Sequence, residues 1–292
     1  MKKAILLGLF LSALLVIGVL AQTAAIPEAE KAAIIQTAQD YGDGFYAGEA
    51  DRMERAIHPD LNKVVTRILP QTKAVIIGYS TFSDLIELTR AKVAVTTPLR
   101  KIQPEALLLN DDVACAKLTS PMYNDYLQMV KIDGRWKIVN VLWAPGPETP
   151  GRQPLAGFET EKEKEAIKKA ALDFVEGSLS GDAVRVEAVL HPEVSRAIWQ
   201  KNPETGQTRV SRNGYSGLVE PVRAKLRVVP EDQRKVDIRI LDIMDGMAFV
   251  EAASPFSYNY IQMSWLDGQW KILNILNKSN PNAPPPPPAE KK

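Results

Sequence analysis

The chain has 292 residues, with 36 Lys+Arg against 35 Asp+Glu, two His, one Cys and 45% hydrophobic residues. So even a charge balance argues against an electrostatic nucleic-acid binder, which would carry a basic stripe. A single cysteine excludes an intrachain disulfide framework, and Cys115 reads as a small core hydrophobe.

Met1-Lys2-Lys3 and the apolar run Ala4 to Leu20 have the order of a signal peptide's basic and hydrophobic regions. Val19-Leu20-Ala21 supplies the small residues of a cleavage site. The mature chain is therefore expected to begin at Gln22, periplasmic or secreted, with no membrane contact after cleavage. A membrane span is the rival reading, but the run is short for one. Removing Lys2 and Lys3 leaves 34 basic against 35 acidic residues, and no Cys follows to carry a lipid. What remains is long enough for two domains.

The mature chain repeats itself. Tyr41-Gly42-Asp43-Gly44 … Gly48-Glu49 … His58-Pro59 recurs as Phe174-Val175-Glu176-Gly177 … Gly181-Asp182 … His191-Pro192. Tyr126-Leu127-Gln128-Met129 recurs as Tyr260-Ile261-Gln262-Met263, and Asp133-Gly134-Arg135-Trp136-Lys137-Ile138-Val139-Asn140 as Asp267-Gly268-Gln269-Trp270-Lys271-Ile272-Leu273-Asn274. A period this long marks a duplicated domain rather than a solenoid. The expected organisation is leader 1–21, copy one 28–143, linker 144–160, copy two 161–277 and tail 278–292. The linker is rich in Pro and Gly, and Pro284 to Pro288 run unbroken in the tail. Both should be extended.

Along each copy the elements follow one order. Pro27 and Glu28 open a first helix, with the apolar stripe Ile34, Ala38, Tyr41 and Phe45 on one face. Gly48 and Gly181 sit where a left-handed cap would end that helix, and Asp182 can cap a short second one ending near His191-Pro192. Residues 61 to 79 look extended. Thr81 with Asp84 then opens a third helix carrying Leu85 and Leu88. The remainder is strand; in copy two the runs are 236–244, 247–255, 258–266 and 269–277. Asp245-Gly246 and Asp267-Gly268 break them as tight hairpins. Helices first and antiparallel strands after describe an α+β domain, with about three helices on one face of a curved sheet.

This order, the Tyr/Phe-x-x-Gly-x-x-x-Gly-Glu/Asp … His-Pro segment and the Asp-Gly-x-Trp-Lys-Ile-x-Asn strand resemble the nuclear transport factor 2-like superfamily of cystatin-like cones. Within it the chain is most similar to the secreted "putative lumazine-binding" family. The resemblance implies two tandem cone-shaped domains, a possible small ligand and pairing through the sheet. It transfers no catalytic dyad, because the superfamily mixes isomerases, dehydratases and cyclases with non-catalytic binders.

If Asp133-Gly134 is a two-residue turn, the ladder read back from Ile132 opposite Arg135 puts Met129 opposite Ile138, Leu127 opposite Asn140 and Asp125 opposite Leu142. In the resembling fold the helices cover the concave face. The more apolar set is therefore assigned inward: Asp125, Leu127, Met129, Ile138, Asn140 and Leu142. In copy two it is Asn259, Ile261, Met263, Ile272, Asn274 and Leu276. The outward strip is Tyr126, Val139, Val141 and Trp143 in one copy and Tyr260, Leu273 and Ile275 in the other. Apolar strips of that kind mark an interface, here an intramolecular pseudo-dimer or a homodimer.

Asp125 is the candidate acid or base, since desolvation in the cone would raise its pKa; Asn259, its copy, can bind but cannot shuttle a proton. The candidate ligand-binding set is Tyr41, His58, Asp125, Trp136 and Asn140, with Phe174, His191, Asn259, Trp270 and Asn274. Blander roles compete: Asn140 and Asn274 as backbone caps, Tyr41 and Phe174 as core, Trp136 and Trp270 as sheet wall. His58-Pro59 and His191-Pro192 would be helix stops, with the helix dipole favouring imidazolium. Each copy has one His and no second soft ligand near it, so no metal site is expected, and no motif calls for a cofactor. Three functions fit. The first is a non-enzymatic protein whose cones bind a small apolar or heteroaromatic molecule. The second is a structural or protein-interaction module with side-chain-filled cones. The third is a cofactor-free isomerase, dehydratase or hydrolase using Asp125.

Overall fold

The computed structural model describes residues 25–69, 71–72, 74–95, 101–153 and 157–284. The expected leader, Pro154 of the linker and the prolines from 285 onward lie outside the described residues. In copy one the elements are α1 (Glu28–Ala47), α2 (Ala50–Ala56), β1 (Ile57–Ile68), β2 (Val75–Ser80), α3 (Phe82–Arg90), β3 (Gln103–Asn110), β4 (Val113–Thr119), β5 (Tyr123–Ile132) and β6 (Arg135–Pro145). Copy two repeats them as α4 (Glu161–Ser180), α5 (Ala183–Val189), β7 (Leu190–Lys201), β8 (Thr208–Asn213), α6 (Tyr215–Arg223), β9 (Asp237–Met244), β10 (Met247–Ala253), β11 (Ser257–Leu266) and β12 (Gln269–Ser279). The two six-stranded sheets have the orders β2-β1-β6-β5-β4-β3 and β8-β7-β12-β11-β10-β9. All neighbours are antiparallel except β1 with β6 and β7 with β12, which run parallel.

Local chemistry explains the boundaries. Gly48 and Gly181 close α1 and α4 at φ of 72° and 75°, a conformation that costs a side-chain-bearing residue but not glycine. Thr81 and Asp84 form a reciprocal capping box on α3, and the Asp182 carboxylate accepts the Arg185 N–H at the start of α5. Pro27 stands one position earlier than expected, as the N-cap of α1. Asp133 and Gly134, at φ of 49° and 76°, make the tight turn that pairs Ile132 with Arg135.

Three apolar clusters organise the molecule. Inside copy one, Ile34, Ala38 and Tyr41 of α1 pack on Leu127, Met129, Ile138 and Val141 of the sheet. Ile167, Ala171 and Phe174 repeat this against Ile261, Met263, Ile272 and Ile275. The third cluster lies between the sheets, which pack face to face. Val64, Cys115, Tyr126, Val139 and Leu142 of one meet Trp199, Phe249, Tyr260, Leu273 and Leu276 of the other. Polar contacts surround it: Tyr126 Oη donates to Asp242 at 2.8 Å, and Lys278 Nζ reaches Asp111 at 2.6 Å and the Asn110 carbonyl at 3.1 Å.

The simple ladder fails at one residue per copy. Met129 faces Ile138 as expected, but Gln128 then faces Asn140, so Val139 is an extra residue, a β-bulge. Leu273 is its counterpart between the pairs Met263–Ile272 and Gln262–Asn274. A one-residue slip reverses every side chain beyond it. Asn140, Leu142, Asn274 and Leu276 therefore lie on the face between the sheets, not inside the cones. Val141, Trp143 and Ile275 turn inward, contrary to the expected outward strip, and Asp125 faces Trp143 rather than Leu142.

Candidate functional site

The first cone opens into a cavity of about 140 Å³. Helix α1 contributes Tyr41, Gly42, Phe45 and Tyr46, strand β1 contributes Lys63, and Leu85 and Leu88 come from α3. Strands β5 and β6 add Tyr123, Asp125 and Trp143. Leu88, 40% exposed, stands in contact with solvent, whereas Asp125 is 1% exposed. Phe45 and Trp143 each meet Tyr123 edge-on, with ring centroids 6.0 Å and 5.4 Å away. Edge-to-face packing of this kind fixes ring orientation and makes a rigid apolar wall.

The polar part of that wall is a connected trio. Tyr41 Oη donates to Asp125 Oδ1 at 2.9 Å, Lys63 Nζ lies 3.3 Å from the same oxygen, and Lys63 Nζ also donates to Tyr41 Oη. The ammonium stands 5.0 Å from the ring centres of both Tyr41 and Trp143, within cation–π range. Burial lowers the pKa of Lys63, and the facing Asp125 carboxylate opposes that only in part. Burial, reinforced by the Asp125 charge, pushes the Tyr41 hydroxyl well above its usual range. Tyr41 is thus a donor that holds its proton. Beside the trio, the Tyr46 and Ser120 hydroxyls are 3.0 Å apart. The Trp143 Nε1–H is buried and has no acceptor among the described residues.

Of the residues expected from the sequence, only Tyr41 and Asp125 meet at this cavity. Asn140 and Asn274 are each fully buried between the sheets. Asn140 Nδ2 donates to Gln128 Oε1 at 2.6 Å and Asn274 Nδ2 to Gln262 Oε1 at 2.9 Å, as the bulge requires. Trp136 and Trp270 lie in the wall, their indole N–H groups donated to Glu30 and Glu163 at 3.0 Å and 2.9 Å; these bonds tie each sheet to its first helix. Phe174 is core in the second cone.

His58 and His191 follow directly on Ile57 and Leu190, the C-caps of α2 and α5, as the second residues of β1 and β7. Each ring Nδ1 accepts the backbone N–H two residues on, from Asp60 at 3.0 Å and Glu193 at 3.1 Å. An accepting Nδ1 carries no proton, and burial lowers both pKa values, so the helix-dipole account favouring imidazolium is overturned. His58 borders a separate groove with Pro59, Asp133 and Arg135, away from Asp125.

Lys63, Tyr46, Tyr123 and Trp143 are among the site residues that sequence reasoning missed. Lys63 stood in the segment read only as extended; the alternation Leu61-Lys63-Val65 was the available signal that a cation points inward. In the second cone the same places hold Phe174 for Tyr41, Arg196 for Lys63, Asn259 for Asp125 and Asn277 for Trp143. The pairings Lys63–Val141 and Arg196–Ile275, with Asp125–Trp143 and Asn259–Asn277, fix that equivalence. Among the described residues no group of three or more His, Cys, Asp or Glu side chains is placed to hold a metal, and no helix is long and apolar enough to cross a membrane.

No curated protein matches the chain. Solved structures with one such domain are similar in fold. An NTF2-like protein of unknown function from Silicibacter pomeroyi DSS-3 is 15% identical, with 41% of this chain and 99% of that chain covered at a TM-score of 0.34. A cystatin-like-fold protein of unknown function from Nostoc punctiforme PCC 73102 is 16% identical, covering 43% and 96% at 0.31. A ketosteroid isomerase-like protein from Erwinia carotovora atroseptica SCRI1043 is 14% identical, covering 40% and 95% at 0.27. The family model described as "Putative lumazine-binding" matches residues 29–144 and again 162–277. With most of its length matched in two successive copies, the chain belongs to that family.

Proposed function

We propose that the protein is exported and non-enzymatic, and that its first cone binds a small, neutral, planar ring compound. The cavity beside the Lys63–Tyr41–Asp125 trio carries this reading. Its volume of about 140 Å³ decides the size class. An apolar cavity of ~150 Å³ takes a benzene-sized molecule, so one six-membered ring fits here and a fused bicycle would project past Leu88. Ligand charge follows from the trio: Lys63 and Asp125 already compensate each other, so a charged ligand would leave one of them unpaired. The aromatic wall of Phe45, Tyr123 and Trp143 suits a planar ring, and the polar trio beside it favours a heteroaromatic ligand over a hydrocarbon.

The same geometry weighs against catalysis by Asp125. One of its oxygens already receives the Tyr41 hydroxyl and faces the Lys63 ammonium, leaving that oxygen poorly placed to take a substrate proton. The open cavity weighs against a merely structural module. Export rests on the leader pattern, and the face-to-face sheets make the chain its own pairing partner, with a homodimer needing some other surface.

Native mass spectrometry of the mature protein, purified gently from its own host, tests the proposal. A retained mass of a one-ring heteroaromatic is expected, and Asp125→Asn paired with Lys63→Met, so that no buried charge is stranded, should bind it still while abolishing any proton-transfer catalysis. Clean apo masses, with no quenching of tryptophan fluorescence by one-ring heteroaromatics such as uracil or nicotinamide, would overturn it.

A further inference from the structure

We infer that the second cone is a separate site for a small organic carboxylate, anchored by Arg196. Duplication supplies an internal comparison. In copy one the inward cation on the first strand, Lys63, meets the inward carboxylate of Asp125 at 3.3 Å. In copy two the cation is kept as Arg196, but the carboxylate is replaced by Asn259, and among the described residues no other acid takes its place.

Among the described residues, Arg196 has a single partner: its Nε–H donates to Asn213 Oδ1 at 2.9 Å. The remaining four N–H donors of the guanidinium have no protein acceptor among them. Desolvation is the one influence acting on its pKa, and it works against the charge. A half-buried cation with no counter-ion is costly, so such a group is expected to be satisfied by something the chain does not supply.

The surroundings select the chemical class. Arg196, Asn213 and Asn277 are each only partly buried. Asn277 Nδ2 donates to Asn259 Oδ1 at 2.9 Å, and Asn259 Nδ2 to Ser257 Oγ at 3.4 Å. These amides add hydrogen-bonding capacity but no second positive charge. One guanidinium fork balances one carboxylate in bidentate geometry, whereas a phosphate dianion would need a further cation.

This inference is independent of the first cone's ligand, because it uses other residues and the opposite charge logic. The test is isothermal titration of the full mature chain with benzoate, and with its neutral isostere benzamide as control. Benzoate should bind in a manner that requires Arg196, whereas any benzamide uptake, which the first cone also admits, should be unchanged in Arg196→Gln. Arg196→Gln should weaken benzoate roughly tenfold or more, the usual loss for a hydrogen bond to a charged group. Asn259→Asp should do the same, because it rebuilds the internal ion pair of copy one. That variant also keeps the test alive if Arg196→Gln fails to fold. Lys63→Met with Asp125→Asn, which alters only the first cone, should leave benzoate binding intact. Equal loss of benzoate and benzamide in Arg196→Gln, or unchanged benzoate binding in Asn259→Asp, would overturn the assignment.

Discussion

Gln128 and Asn140 form a linked pair, with Asn140 Nδ2 donating to Gln128 Oε1 at 2.6 Å, and both also bond to the backbone of the opposite sheet. Gln128 Nε2 donates to the Tyr260 carbonyl at 2.7 Å and Asn140 Nδ2 to that of Ile275 at 3.3 Å. Gln262 and Asn274 return the same bonds to Tyr126 and Val141 at 2.9 Å and 3.2 Å. Arg212 caps the Asn140 oxygen at 2.9 Å, and Asn62 caps that of Asn274 at 2.7 Å. Four buried amides thus lock the register of one sheet on the other, since any shift would leave them unpaired.

Truncating one of these amides should be costly without touching the first cavity. Asn140→Ala or Asn274→Ala leaves buried partners unsatisfied and should cost ~1–3 kcal/mol. Urea unfolding would show a lower midpoint, with ligand affinity of the first cone unchanged. A cost near zero would mean that the network does not hold the sheets together.

The Lys63–Asp125 pair should show the asymmetry of buried ion pairs. Lys63→Met strands a carboxylate that is 1% exposed, and should destabilise by ~3–5 kcal/mol. Adding Asp125→Asn removes the stranded charge and should restore most of that loss. Denaturant melts of the two variants would check this non-additivity.

The two histidines should make the fold sensitive to mild acid. Burial lowers both pKa values from the ordinary 6.5, so the unfolded chain takes up protons before the folded one. Their contribution is present above about pH 6.5 and is lost as pH falls from there through the folded-state values. Melting temperature should drop across that window. His58→Asn with His191→Asn should flatten the drop, because asparagine can accept the same backbone N–H without titrating.

Cys115 offers a probe of sheet separation. It is fully buried between the sheets, and burial pushes its thiol well above the usual range. A thiol reagent such as DTNB should label it only when the sheets part. Labelling should quicken in Asn140→Ala; rapid labelling of the native protein would contradict the packing described.

Most of the fold was written locally. The Asp-Gly turns, the glycine caps at 48 and 181, the Thr81–Asp84 box and the inward stripe of α1 are each decided within a few residues, and the repeat showed that the plan occurs twice. The candidate site was only half readable. Tyr41 and Asp125 sit on strong periodic patterns, but Asn140, Asn274 and Trp143 were placed on the wrong face by a bulge.

What the sequence alone determined is therefore the two α+β copies, their element order and the inward carboxylate that becomes an amide in the second copy. What only the tertiary structure decided is everything beyond Val139 and Leu273, together with the cation that meets Asp125. The bulge is selected by packing: the extra residue lets Val139 fill the space between the sheets while Asn140 bonds across it. No period-2 pattern encodes that choice, because the bonds that stabilise it come from a strand more than a hundred residues away.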